Sequence, residues 1–225
     1  MTYDEVMERL RAAANPKNVE GMARFGIETG RAYGISAPVL LSLAKKTGID
    51  HALAQQLWAS GIHEARLLAA LVDDPRQVTE AQMDSWVKDF DSWDICDNCC
   101  GHLFDKTPFA YRKAIEWSGR EEEFVKRAGF ALMAWLAVHD KKAGDEPFLG
   151  FLLIIRRESV DTRNYVKKAV NWALREIGKR NVILNKAAIE TAQQIIDKNP
   201  RGAQWVGTDA RRELTSEAVQ RRLTK

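Results

Sequence analysis

Apolar positions recur every three or four residues along almost the whole chain, which is the period of an amphipathic helix. Tyr3, Val6, Met7 and Leu10 form the first such stripe. Asn15-Pro16 places an N-cap before a proline at the first helical position. Ser36 precedes Val39, Leu40, Leu43 and Ala44, a run that stops at Gly48. Asp50 opens a helix through Trp58 that Gly61 closes, and Ile62 to Val72 reads as helix up to Asp73-Asp74-Pro75. Thr79 with Gln82 has capping-box spacing and starts a helix containing Trp86, Val87 and Phe90. Ser92 is expected to cap the next helix, its hydroxyl accepting a backbone N–H from a first turn that begins at Trp93. Thr107-Pro108 is expected to begin another, with Phe109, Ile115 and Trp117. Further helices are predicted near Glu121 to His139, Glu146 to Arg157, Asp161 to Gly178, Asn185 to Lys198 and Arg201 to Leu214, with a short tail helix after Thr215. No alternating strand pattern occurs, and the connections are short. The predicted fold class is all-α.

A weak internal repeat refines this picture. His63-Glu-Ala-Arg66, Val125-Lys-Arg127-Ala and Val166-Lys-Lys168-Ala each place a basic residue at a similar point in the second helix of a pair. Arg127 and Lys168 are 41 positions apart, close to the ~40–47-residue period of HEAT-type repeats. Such repeats stack into an α-solenoid of antiparallel helix pairs whose second helices line a concave face. Arg66, Asp97, Arg127 and Lys168 would then share one groove. The expected organisation is a single helical-repeat domain over residues 1–225.

Charge is informative through its distribution. The chain of 225 residues has a formal net charge of only +3. Met1 to Phe90 carries 10 Lys/Arg against 12 Asp/Glu, whereas Arg156 to Lys186 carries 9 against 3, a local excess of +6. A cationic band on a near-neutral chain fits a phosphate-bearing partner, although such runs are more often solvated helix faces. Three cysteines within five positions make no disulfide framework, and no signal peptide or membrane-spanning run is apparent, so a reducing cytoplasm is the expected setting.

Candidate chemistry centres on Ser92-Trp93-Asp94-Ile95-Cys96-Asp97. Trp93 and Asp97 stand at i and i+4, so a ring and a carboxylate share one helical face. Arg127 and Trp172 fall in two other helices, and folding could add a cation and a second indole. Cys96, Cys99, Cys100 and His102 offer four soft ligands in seven positions. A structural zinc normally ties two separated segments together, and no second ligand pair exists, so small buried packing is the expectation and no metal is predicted. His139-Asp140 is a dipeptide of some metal-dependent hydrolases but has no partner cluster. His51 and His63 stand alone and read as structural, and no nucleotide-binding glycine loop is present.

These residues carry a resemblance. The chain resembles, over nearly its whole length, the DNA alkylation repair glycosylases of the AlkD type, which are HEAT-like repeat proteins. The resemblance rests on Gly26-Ile27, His63-Glu64-Ala65-Arg66, Ser92 to Asp97, Lys126-Arg127-Ala128 and Lys167 to Glu176. It implies catalytic roles for Trp93, Asp97, Arg127 and Trp172. Two positions depart from the family's pattern. Glu20 to Phe25 lacks a tyrosine that active members carry, and Trp135 stands where a DNA-facing lysine is usual.

The resemblance implies a DNA glycosylase that releases positively charged N3- or N7-alkylated purines. The chemistry fits those residue types, because such a base leaves neutral and needs no general acid. Asp97 would stabilise positive charge developing on the deoxyribose and orient water. Trp93 and Trp172 would offer their ring faces to the cationic sugar and base. Arg127 would grip the adjoining phosphate, while Arg66, Lys167, Lys168, Arg175 and Lys179 would contact neighbouring ones. The implied partner is double-stranded DNA containing alkylated bases, bound by a monomer without nucleotide cofactor, metal or membrane. The family also holds non-catalytic binders of damaged or branched DNA, and that is the alternative reading.

Overall fold

In the computed structural model, which describes residues 1–198 and 201–224, all regular structure among the described residues is helical. The chain falls into two compact units, Met1–Thr107 and Pro108–Lys225.

The first unit contains α1 (Tyr3–Ala12), α2 (Pro16–Arg24), α3 (Ala37–Thr47), α4 (His51–Ala59), α5 (His63–Val72), α6 (Glu80–Trp86) and α7 (Trp93–His102). Local chemistry sets most of these boundaries. Thr2 and Glu5 form a reciprocal capping box on α1, and Val6, Met7 and Leu10 bury the predicted stripe. Asn15 caps α2 ahead of its proline, and Asp50 caps α4 through the Leu53 N–H. Gly48, at φ 77°, ends α3 in a conformation that disfavours any side chain. The helix α5 packs against α3, α4 and α7 and buries Leu68, Ala69 and Val72.

The second unit contains α8 (Ala110–Ser118), α9 (Glu123–His139), α10 (Glu146–Glu158), α11 (Asn164–Gly178), α12 (Val182–Lys198), α13 (Arg201–Leu214) and α14 (Glu217–Leu223). Successive helices pair as α8/α9, α10/α11 and α12/α13. The second members α9, α11 and α13 also pack on one another in order, while α10 bridges α8 and α12. Two layers result, one of first helices and one of second helices. Being flanked by α8 and α11 explains why α9 is apolar nearly all round, with Phe130, Leu132, Met133 and Leu136 buried. Gly129 allows the close approach to α8. A Cβ there would lie 2.8 Å from the Ser118 Cα and 2.9 Å from the Trp117 carbonyl carbon.

Several boundaries differ from expectation, each for a local reason. Ser92 occupies the N-cap position of α7, but its buried hydroxyl makes no capping bond and donates to Asp91 at 3.2 Å. Asp94 accepts the Ile95 N–H at 2.9 Å in that first turn instead. Thr107 does not open α8. Its hydroxyl bonds the Phe104 carbonyl at 2.8 Å, closing a short 3-10 turn, and the helix starts at Ala110. The residue before a proline resists helical geometry, which favours that delay. Phe90 lies beyond α6, after a 3-10 turn at Val87–Asp89. Asp161 stays outside α11 because its carboxylate holds Lys126 and Arg163. The helix α12 starts before Asn185, where Asn181 accepts the Leu184 N–H at 2.9 Å.

Candidate nucleic-acid interface

The helix α7 presents Trp93 and Asp97 on one face, both half-buried. The indole of Trp93 is fixed by a hydrogen bond from its Nε1 to the Phe25 carbonyl at 3.0 Å. That carbonyl belongs to the segment 25–36, which is itself anchored by one buried carboxylate. Glu64, fully buried on α5, accepts the backbone N–H groups of Tyr33, Gly34 and Ile35 at 2.8, 2.6 and 3.2 Å. Three such bonds satisfy a charge that would otherwise be costly to bury. Gly34 sits at φ 74°, and a Cβ there would lie 2.9 Å from a Val19 methyl.

Neither His63 nor His51 stands alone, which corrects the sequence reading. His63 Nε2 lies 2.8 Å from Asp94 Oδ2, tying the start of α5 to the start of α7. Burial opposes the charged imidazole, but the Asp94 hydrogen bond and the charges of Asp94, Glu64 and Asp91 outweigh it and raise the His63 pKa. His51 Nδ1 pairs with Asp73 at 2.6 Å. Beside Trp93 lies a cavity of about 450 Å³, walled by Met22, Ile27, Leu40, Leu67 and Leu71 and polar along its Asp94 edge.

Arg66 lies on α5 with a side chain only 15% exposed. Its guanidinium donates to the Asp89 carbonyl at 3.0 Å, faces the Asp89 and Asp91 carboxylates at 3.7 and 3.6 Å, and sits 5.3 Å from the Trp58 ring centroid. Its charge is largely taken up inside the first unit.

In the second unit Arg127 and Trp172 lie on the adjacent helices α9 and α11. Arg127 is 6% exposed and donates to the Tyr165 carbonyl at 2.6 Å, so much of its donor capacity faces inward. Its neighbour Lys126 pairs with Glu158 at 2.6 Å and Asp161 at 3.1 Å. Burial would raise the Asp161 carboxyl, but hydrogen bonds from Arg163 and Lys126 hold it down at about 2. Trp172 is half-buried and meets Trp135 of α9 nearly perpendicularly, with ring centroids 5.3 Å apart. Trp135 in turn stacks on His139 at 4.8 Å.

The cationic band of 156–186 is mostly spent within the fold. Arg175 and Lys179 both pair with Glu213 of α13, Lys179 at 2.9 Å, and Lys179 also pairs with Glu176 at 2.7 Å. Burial would raise the Glu213 carboxyl, but hydrogen bonds from Arg175 and Lys179 hold its pKa down. Arg180 bonds the Ala137 and Ala143 carbonyls and lies over Phe148 at 4.0 Å. Lys167 lies 5.9 Å from the Trp205 ring centroid. Lys168 is exposed and makes no ion pair among the described residues. It stands one turn before Trp172 on the same stripe of α11.

Of the three cations in the repeat seen in sequence, Arg127 and Lys168 are each the fifth residue of their helices, whereas Arg66 is the fourth of α5. The sequence reading gave no structural role to Glu64 or Glu213. Glu64 carried a signal, being a carboxylate on the apolar face of α5, whereas the distant partners of Glu213 left none in the local pattern.

The remaining candidates have other employment. Cys96, Cys99 and Cys100 are fully buried, and burial pushes the Cys99 and Cys100 thiols well above their usual range. His102 is exposed. Asp140 accepts the Tyr111 hydroxyl at 2.9 Å and the Lys142 and Ala143 N–H groups. No group of three or more His, Cys, Asp or Glu that could hold a metal occurs among the described residues. No helix among them is long and apolar enough to cross a membrane.

A comparison with curated proteins finds no match. Among solved structures, a protein described as belonging to "a new family of proteins related to the HEAT-like repeat DNA glycosylases with affinity for branched DNA structures" superposes with a TM-score of 0.83. It covers 99% of this chain and 96% of its own at 20% identity, so the two share a fold. The family model described as "DNA alkylation repair enzyme" matches residues 6–214. With that match spanning nearly the whole sequence, the chain belongs to the DNA alkylation repair enzyme family.

Proposed function

We propose that this protein is a DNA glycosylase that releases positively charged N3- or N7-alkylated purines. The observation that carries the reading is the pairing of a fixed indole and a half-buried carboxylate, Trp93 and Asp97, one turn apart on α7 in a chain of this family. A cationic purine departs as a neutral base, so the demanding charge is the one that develops on the deoxyribose. A preorganised carboxylate opposes that charge without having to reorganise, and the half-buried position strengthens its field. Trp93 cannot swing freely, because its N–H is committed to Phe25, so its ring face is oriented before substrate arrives. The roles that the family resemblance implies for Trp172 and Arg127, which lie in the second unit, are a ring face and a phosphate contact.

Phosphate contacts would come first from Lys168, with Lys167 beside it. Arg175 and Lys179 share Glu213, and Arg66 shares Asp89 and Asp91, so loosening of those pairs would have to precede any phosphate contact. The test is direct. DNA carrying 7-methylguanine or 3-methyladenine is incubated with the protein and released base is measured. The parent protein should release base, and Asp97→Asn should slow release by ~100-fold or more while leaving folding and DNA affinity intact. Unchanged release by Asp97→Asn would remove the carboxylate from the mechanism.

A second reading, a non-catalytic binder of damaged or branched DNA, is favoured by one observation. Arg127 is buried against the Tyr165 carbonyl rather than presented to solvent. Absence of base release from every alkylated DNA, together with salt-dependent DNA binding, would select it.

A further inference from the structure

The helices α5 and α7 meet at the cavity beside Trp93, and each brings one stripe of side chains to it. From α5 come His63, Leu67 and Leu71, spaced one turn apart. From α7 come Asp94, Asn98 and His102 at the same spacing. The His63–Asp94 bond at 2.8 Å ties the two stripes at one end, and Trp93 lines the cavity as well. The α5 wall is therefore largely apolar and the α7 wall polar. Leu67 and Leu71 are only half-buried, although α5 packs against three helices. Asn98 donates its Nδ2 to the Asp94 carbonyl at 2.8 Å, which leaves its Oδ1 as an acceptor. His63 is 4% exposed, yet its Nδ1 has no hydrogen-bond partner. A buried polar atom left unpaired is uncommon and marks a place where a ligand can meet it.

We infer that this cavity is a binding site for the free alkylated purine that the proposed reaction releases. The inference rests on the proposed function and adds a product site to it. At about 450 Å³ the cavity lies within the ~300–1,000 Å³ range of small-molecule pockets and can take a two-ring heterocycle. A neutral purine has a flat face of low polarity and a hydrogen-bonding edge, which match the two walls. Leu67 and Leu71 suit the ring face and the alkyl group, whose transfer out of water is favourable. Asn98 Oδ1 suits the exocyclic amine, and His63 Nδ1, a donor when the imidazole is protonated, suits a ring nitrogen. Bond cleavage leaves the base uncharged, so its entry into a largely apolar cavity desolvates no charge. The placement also fits, because Trp93 borders the cavity and shares a helical face with Asp97.

The experiment titrates the full chain with free base in the absence of DNA, using 3-methyladenine and adenine as probes and calorimetry as the readout. The parent protein should bind a single 3-methyladenine about fourfold more tightly than adenine, the worth of one buried methyl group. Leu67→Trp, which fills the cavity, should lower that affinity at least about tenfold. Asn98→Leu, which removes the acceptor at similar size, should lower it about tenfold. That variant decides the matter if Leu67→Trp proves unfolded. Absence of 3-methyladenine binding, equal binding of adenine, or affinity unchanged in Asn98→Leu overturns the product site, while release of base from alkylated DNA tests the reaction separately. Selective base binding by a protein that releases no base from alkylated DNA overturns the proposed reaction, and the product role with it.

Discussion

Each unit contains a pair of tryptophans, and the two pairs do opposite things. In the first unit Trp58 and Trp86 are 4% and 3% exposed and lie parallel, with centroids 3.9 Å apart. The Trp58 N–H is satisfied by Asp89 at 2.9 Å, and Arg66 covers the ring. Every face and every polar atom of Trp58 has an internal partner, so the pair is an organiser of the core. In the second unit Trp135 and Trp172 are half-buried and nearly perpendicular, and the exposed His139 stacks on Trp135. The same residue type, placed on the second helices of the pairs in one case, is left partly open to solvent. Residue identity does not separate these roles; burial and the completeness of the surrounding contacts do.

The largest expected effect on this contrast is in stability. Trp86→Ala should cost about 3–5 kcal/mol, because it removes one ring of a close-packed stack and leaves a cavity. Trp135→Ala should cost under about 1.5 kcal/mol, since solvent already reaches that ring. Urea unfolding of both variants checks the difference. Equal losses would make Trp135 a core residue and erase the distinction.

A second effect concerns how the first unit is held. His63→Gln should cost about 1–3 kcal/mol by breaking the buried link to Asp94. Folding raises the His63 pKa, so the protonated ring contributes stability that is complete below the unfolded value of about 6.5. That contribution is lost as pH rises through the folded pKa. The melting-temperature gap between the parent and His63→Gln should therefore be widest at mildly acidic pH and narrow above neutrality. A gap that widens with rising pH would reverse the assignment.

The smallest effect is expected on the cations. Lys168→Ala should lower the salt slope of duplex DNA binding by about 0.9, the value of one phosphate contact. Arg175→Ala should change the slope less, because Glu213 already takes up its charge. Titrations at several salt concentrations measure both. A larger change for Arg175 would mean that DNA displaces Glu213.

Much of the fold was legible because helix-forming information is local. The stripe Val6, Met7 and Leu10, the Asn15 and Asp50 caps and the stop at Gly48 each need only a few neighbouring residues to act. Errors fell where a side chain found a distant or unexpected partner. Ser92 turned to Asp91 instead of capping, and Asp161 was drawn to Lys126 and Arg163 ahead of α11. The shared register of Arg127 and Lys168 was readable as a repeat, since similar helix pairs force similar spacing.

By itself, the sequence determined an all-helical repeat fold, the family, and the placement of Trp93 and Asp97 on one helical face, since periodicity and short motifs suffice for each. The tertiary structure alone decided which charges remain for a partner. The +6 excess between Arg156 and Lys186 is reduced by Glu213, which lies outside that window and reaches Arg175 and Lys179 only through the packing of α11 on α13. It also decided that Trp93 is oriented by the Phe25 carbonyl, 68 positions away, and that Trp135 meets Trp172. Electrostatic pairing and ring contacts depend on distance in space, and no local pattern encodes a neighbour that folding supplies.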